Sequence, residues 1–223
     1  MYLKPGYQSE WSLFRPEVEL YPVLVEKRTS VVPTNIFELG SHNGDDAEYL
    51  RKSFNLSPSD VFCFEPNPYT FEELSSKYPG FNNFELGLSN YNGTSDFDCV
   101  MNDTGVSSTR KKIHLNNPII EKKQINIVRM DYIIDHYNIT NIDVCKIDVE
   151  GCAYELLEGF GEKLSVVKTI QIEAELVPLF SGQRLFPEIS NYLSSHGFHM
   201  ISFFSLGAQC DSFWVRNNLF TVK

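Results

Sequence analysis

Residues 35–46 read NIFELGSHNGDD. A short apolar run (Ile36, Phe37 and Leu39) carries one embedded acid, Glu38, and is followed by Gly40, three small or polar residues and Gly44. Asp45 and Asp46 then open a segment where Ala47, Leu50 and Phe54 form one apolar stripe, the mark of an amphipathic helix. Strand, glycine turn and helix make the ligand-binding corner of open α/β sheets. Gly40 permits the tight turn, and Gly44 lets the backbone and helix N-terminus approach a ligand closely. The corner lacks the GxGxxG series of dinucleotide sites. Glu38, Asp45 and Asp46 would together repel a pyrophosphate and attract a cationic amino-acid head.

The next strand points the same way. Val61–Phe64 ends in Glu65-Pro66-Asn67-Pro68, which places an acid 25 residues after Gly40. Doubly wound folds bind ribose hydroxyls at that position, and a carboxylate can accept both hydrogen bonds of a cis-diol. Tyr69–Tyr78 reads as the second helix and Phe84–Leu88 as the third strand. Tyr91-Asn92-Gly93-Thr94 is a turn signal, and Ser95–Val100 alternates weakly as a strand does. Asn102–Asn126 is long, polar and aperiodic, with Gly105, Ser107, Ser108 and the basic run Arg110, Lys111 and Lys112. Long loops in compact domains often carry function, although the basic run reads first as a solvated face.

Ile125–Val128 reads as a strand, and Asp131 as the N-cap of a helix bearing Tyr132, Ile133, Ile134 and Tyr137. Ile142–Val149 is a strand interrupted by Asp143 and Lys146, and it runs into Lys146-Ile-Asp148-Val-Glu150-Gly151. Ala153, Leu156, Leu157 and Phe160 follow at helical spacing, with Gly159 or Gly161 to close the helix. Val166–Glu175 is a fifth core strand with Glu173 and Glu175 on one face. Ile189, Tyr192 and Leu193 mark a helix stopped at Gly197, and Phe198–Leu206 and Phe213–Val222 are predicted to pair antiparallel. Ahead of all this, Trp11, Phe14, Val18, Tyr21 and Leu24 fall near helical spacing, bounded by Pro16 and Pro22. They predict short helical pieces packed on the later fold. Residues 1–34 are therefore set apart as a helical or irregular extension, and 35–223 as one domain.

The totals narrow the class. A chain of 223 residues with 42% hydrophobic content can bury a sizeable core. A formal charge of −10 argues against a nucleic-acid partner. The five cysteines (Cys63, Cys99, Cys145, Cys152 and Cys210) are scattered without a CxxC pair, so neither a disulfide framework nor a structural zinc site is expected. No apolar run is long enough to span a membrane, and MYLKPGYQSEW lacks the pattern of a secretory signal, so a cytoplasmic protein is expected.

Alternation of strand and helix to about residue 175, then a terminal β-pair, predicts an α/β fold: Rossmann-like, doubly wound and mainly parallel, with an antiparallel C-terminal pair. That layout resembles the class I methyltransferases that use S-adenosylmethionine (SAM), whose head carries an α-ammonium and a sulfonium. More narrowly, FELGSHNGDD, FEPNP, and KIDVEG followed by ELLEGF, in this order between Ile36 and Glu175, resemble the FkbM family of methyltransferases. The resemblance implies that Glu38, Gly40 and Gly44 hold the methionine part of SAM, with His42 and Asn43 lining the same turn. It implies that Glu65 takes the ribose hydroxyls, that Asn67 lies near the adenosine, and that Ser107 and Ser108 reach the ligand. Asp148, Glu150 and Lys146 would stand beside the transferred methyl, with S-adenosylhomocysteine (SAH) the product. The implied reaction is O-methylation of a hydroxyl on a sugar, glycan or secondary metabolite.

Such a transfer needs alignment of donor and acceptor and removal of a proton. Asp148 is the first choice of base for its strand-end position, with Glu150, His42, His114 and His136 as alternatives; His196 and His199 read as packing residues. No metal site is assigned; a divalent cation held by Asp148, Glu150 and Glu173 is a secondary reading. An NAD-dependent oxidoreductase or epimerase is disfavoured by the acidic turn and the missing glycine, and a binding module without catalysis by retention of Glu38, both glycines and Glu65. The acceptor and the oligomeric state, a homodimer among the possibilities, stay open. The aromatic end (Phe203, Phe204, Phe213, Trp214 and Phe220) is read as core before dimer face.

Overall fold

The computed structural model describes residues 16–114 and 116–222. In chain order, helix α1 (Pro16–Arg28) precedes β1 (Ile36–Leu39), α2 (Asp45–Ser53), β2 (Val61–Phe64), α3 (Pro68–Lys77) and β3 (Asn82–Phe84). Then follow β4 (Gly87–Leu88), β5 (Gly93–Val100), β6 (Ile120–Val128), α4 (Met130–His136), β7 (Ile142–Ile147) and α5 (Ala153–Phe160). The chain closes with β8 (Val167–Glu175), α6 (Phe186–Ser195), β9 (Phe198–Leu206) and β10 (Gln209–Arg216).

Among the described residues, seven strands form the main sheet in the order β3-β2-β1-β7-β8-β10-β9. The first five pair in parallel, and β10 lies antiparallel to both β8 and β9. Strands covered on both faces read as near-continuous apolar runs, which is why VFCF is legible to the residue and IFEL to within one, the sequence reading having begun the first strand at Asn35. On one face Phe37, Leu39, Phe64, Cys145, Ile147 and Ile170 meet apolar residues of α4, α5 and α6. On the other, Ile36, Val61, Cys63, Val144 and Phe213 meet Val18, Tyr21, Leu24 and Val25 of α1, Ala47 and Leu50 of α2, and Leu74 of α3. The expected doubly wound, mainly parallel fold is the result, with helices on both faces of the sheet.

Residues 16–28 contribute to this core as one helix that runs through Pro22, where short helical pieces were predicted. An internal proline costs about 3 kcal/mol. Burying Val18, Tyr21, Leu24 and Val25 contributes about 1.5–3 kcal/mol for each side chain, and the burial wins. Trp11 and Phe14 lie outside the described residues.

A second sheet, β4-β6-β5, is the main departure from the sequence reading. The predicted strand Phe84–Leu88 is cut in two. Phe84 ends β3 in the main sheet, while Gly87 and Leu88 pair in parallel with Ile127 and Val128 of β6. Gly87 makes this possible, because a Cβ there would stand 2.6 Å from Ile127 Cδ1. β6 begins at Ile120 and pairs antiparallel with the whole of β5, so the predicted loop is shorter than Asn102–Asn126. Its partner supplies the backbone hydrogen bonds that the polar run Glu121–Gln124 does not advertise.

Other boundaries move for local reasons. Arg129, not Asp131, stands at the N-cap of α4; Asp131 sits in the first turn and pairs with the Arg129 guanidinium. Gly161, with φ 51, closes α5. The last strand is Gln209–Arg216 and not Phe213–Val222, because Gly207 (φ 66) and Ala208 form a tight hairpin turn between Leu206 and Gln209. Phe213 and Trp214 are buried, whereas Phe203 is 41% exposed and rests on Phe186.

Candidate active site

Side chains alternate between the two faces of a strand, and the parallel register sorts the interior accordingly. Near the amino ends of the strands, Ile36, Val61 and Val144 form an apolar row. One step toward the carboxyl ends, on the same face, stand Cys63, Glu38, Lys146 and Gln171 in register. One step further come Glu65, Gly40, Asp148 and Glu173, with Asp211 opposite Glu173. The sheet thus turns from oil to charge at the crevice where open α/β sheets bind ligands. Asp143 and Lys146 both interrupt β7, with opposite outcomes. Asp143, at the amino end, ties down Thr34 and Lys168; Lys146, at the carboxyl end, faces the crevice.

That crevice is a cavity of about 700 Å³. Its walls include Glu38, Gly40, His42 and Asn43 from the first turn, Glu65 after β2, Ser107 and Ser108, and Lys146, Asp148 and Glu150 after β7. The sequence reading had singled out all of these. Gly40, at φ 86, has no room for a side chain, since a Cβ would stand 1.8 Å from the Asp148 carbonyl oxygen. Gly44, at φ 80, faces Leu74 and Tyr78 instead of the cavity. Its bare backbone lets α2 and α3 approach.

Glu65 accepts hydrogen bonds from the backbone N–H of His42 at 2.7 Å and of Asn67 at 2.8 Å. Burial raises its pKa, and these two donors pull it back. The turn is thereby locked to the carboxylate. Asn67 is outside the lining; it caps α3 through Tyr69 N–H and donates to Ser107 Oγ at 3.3 Å. Ser108 donates to the Glu150 carbonyl at 2.7 Å. His42 Nε2 lies 2.8 Å from Thr104 Oγ1, while His114 and His136 are exposed elsewhere.

The ammonium of Lys146 lies 3.3 Å from Asp46, 3.3 Å from Asp148 and 3.9 Å from Glu38. Burial alone would lower its pKa, but these carboxylates carry it well above the ordinary lysine range. Burial pushes Glu38 well above the usual carboxylate range; Lys146 opposes this, and Asp46 and Asp148 add to it. Glu38 Oε2 is buried with no hydrogen-bond partner among the described residues. An orphaned carboxylate oxygen in a cavity suits a ligand that brings its own N–H donors and positive charge. Glu150, at φ 40, is pushed up to about 8 by burial first and by the charge of Asp148 second. Asp148, Glu150 and Glu173 each present an oxygen within 4.8 Å of the others. Burial and then Asp148 and Glu150 hold Glu173 well above the usual range.

The second sheet completes the cavity, and the sequence reading had given it no part. Leu88 of β4, Ser95 and Phe97 of β5, and Ile125 and Ile127 of β6 form a wall across from β1 and β7. Strict alternation of Phe97 with Cys99 and of Ile125 with Ile127 was the available signal. Thr104 and Arg110 also line the cavity.

A doubly wound sheet with an acidic, glycine-turned crevice at its carboxyl edge fits the class I SAM-dependent methyltransferases, and the family match places the chain among them. Within that class the chain belongs to the FkbM methyltransferase family, whose description, Methyltransferase FkbM domain, matches residues 38–200. It is 26% identical over 195 residues to the 2-O-methyltransferase NoeI of Sinorhizobium fredii, covering 79% of this chain and 76% of that protein. It is 27% identical over 169 residues to the hexuronic acid methyltransferase AglP of Haloferax volcanii, covering 70% of this chain and 64% of that one. The crystal structure of an FkbM methyltransferase from Methylobacillus flagellatus superposes with a TM-score of 0.54 at 14% identity, over 82% of this chain and 44% of that one. At that identity the superposition speaks for the fold.

Proposed function

We propose that the protein transfers a methyl group from SAM to a hydroxyl of a sugar or glycan. The orphaned Glu38 Oε2 in a cavity shared with Glu65 carries the donor side of this reading. Bound SAM would supply an electrophilic methyl on a sulfonium. Glu38 would receive the α-ammonium, and Glu65 retains lone pairs for the ribose hydroxyls beyond the two N–H groups it already accepts. The named activities of NoeI and AglP support the acceptor class.

The acceptor hydroxyl must lose its proton as oxygen takes the methyl. Asp148 was the first choice of base, but it is engaged by Lys146. Glu150 suits the task better: its Oε2 is buried without a partner among the described residues, and its pKa of about 8 lies near the operating range. The proton passes from the hydroxyl to Glu150, and Lys146 holds Asp148 in place.

The test is calorimetric titration of SAM and SAH into the wild type and Glu65→Ala, followed by methyl transfer from labelled SAM to a panel of sugars. Micromolar binding lost in the variant supports the site. Absence of binding to the folded wild type removes the reading. Activity unchanged by EDTA disposes of a cation held by Asp148, Glu150 and Glu173.

A further inference from the structure

Neither donor binding nor proton removal uses the basic run Arg110-Lys111-Lys112. These residues line a second concavity of about 500 Å³, together with Lys122, Asp98 and an apolar floor that includes Val100 and Ile120. Arg110 lines both this cleft and the main cavity, so the two share a wall.

We propose that this cleft is the acceptor subsite for an anionic group, a carboxylate or a phosphate carried by the sugar whose hydroxyl is methylated. The inference rests on the methyltransferase reading and adds to it the charge of the acceptor.

Four observations carry it. First, the run is a pinned strap. Ser108 exchanges backbone hydrogen bonds with Asp98 at 2.9 and 3.2 Å, Ile113 N–H donates to Leu179 at 2.8 Å, and Lys111 accepts from Ser181 N–H at 2.9 Å. Second, the charges do not cancel. Glu155 pairs with Arg110 and Asp98 with Lys122, but no carboxylate among the described residues reaches ion-pair distance of Lys111 or Lys112, the second of which acts on Glu150 only through its field. Lys112 stands instead 5.1 Å from the centre of the Phe180 ring. Third, Arg110 Nε is buried with no hydrogen-bond partner among the described residues, an unfilled donor on the shared wall. Fourth, the chain as a whole carries −10. A concave cluster of four cations, two of them paired with Glu155 and Asp98 and two not, stands out from that background, and its field draws anions. A solvated basic face needs neither the concavity nor the fixed backbone. The crevice beyond Arg110 is acidic and would repel an anion, so the negative end of an acceptor is confined to the cleft while a neighbouring hydroxyl reaches toward Glu150.

The test uses the full chain loaded with SAH and titrated calorimetrically with trigalacturonate, galactotriose and glucose 6-phosphate. Trigalacturonate or glucose 6-phosphate should bind, galactotriose much more weakly, and added salt should weaken the charged ligand. Which of the two binds identifies a carboxylate or a phosphate. A Lys111→Gln/Lys112→Gln double variant should lose about tenfold in affinity for it, with SAH binding unchanged. That last measurement excludes misfolding and keeps the donor site separate. Equal affinity for neutral and acidic sugars, no binding of either anion at millimolar concentration, or an unaffected double variant would overturn the subsite while SAH binding leaves the methyltransferase reading intact. Failure of SAH to bind the wild type takes down both.

Discussion

At the scale of single residues, Glu150 and Gly40 are decided by what surrounds them. Glu150 follows the end of β7 and takes a left-handed backbone, with its carboxylate near Asp148, Glu173 and Glu175 and within the field of Lys112. Glu150→Gln should lower kcat by about a hundredfold or more, the range for a lost general base, and leave the SAM dissociation constant within a factor of about two. Steady-state kinetics beside calorimetry checks the split. In the wild type, kcat/KM should rise with pH toward about 8 as Glu150 deprotonates. Gly40→Ala places a Cβ 1.8 Å from the Asp148 carbonyl oxygen at φ +86. The backbone cannot yield without moving β7, so a loss of about 3 kcal/mol or more is expected, read as a fall in thermal midpoint.

At the scale of elements, the contact between α1 and the main sheet is the one most open to a clean test. The Tyr21 hydroxyl is fully buried, 2.9 Å from Thr169 Oγ1 and 3.2 Å from the Cys145 carbonyl oxygen. Its ring also leans on Phe213. Tyr21→Phe keeps the ring and removes the hydroxyl, which should cost about 1 kcal/mol, measured by urea unfolding. SAM binding should survive, because the Tyr21 contacts lie away from the cavity lining. The small sheet of β4, β5 and β6 has the opposite character. It adds little to the main core but provides the apolar wall of the cavity.

At the scale of the whole molecule, the cavity gathers acids in excess of bases, and this sets a pH dependence. Glu38, Glu65, Glu150, Glu173 and Glu175 all have raised pKa values, each with burial as the first cause. A carboxyl raised in the folded state binds its proton more tightly there than when unfolded. Its contribution to stability is therefore full below the unfolded value of 4.5 and, for Glu150, lost as pH rises through about 8. The thermal midpoint of the ligand-free protein should fall between about pH 5 and about pH 9. A cationic ligand beside Glu38 relieves part of that repulsion, so SAM should raise the midpoint more at the upper end. Thermal scans with and without SAM measure both.

The runs IFEL and VFCF, the turn glycines and the acids Glu38, Glu65, Asp148 and Glu150 were legible because each obeys a local rule: continuous burial for a parallel strand, a left-handed turn at glycine, a polar residue where a strand ends. Four features were not. Phe84–Leu88 reads as one strand but serves two sheets, Pro22 sits inside a helix, the basic run forms one wall of a cleft, and Gly44 spaces two helices instead of lining the cavity. Each depends on a partner far away in sequence: Ile127 for Gly87, the sheet for α1, residues 179–181 for the strap, and Leu74 and Tyr78 for Gly44. The sequence by itself determined the doubly wound sheet and the carboxylates at its edge, because strand burial and glycine turns act over a few residues. Only the tertiary structure decided which carboxylate oxygens stay without a hydrogen bond, what roofs the cavity and where the cations gather, because desolvation and ion pairing depend on neighbours that the chain brings together only by folding.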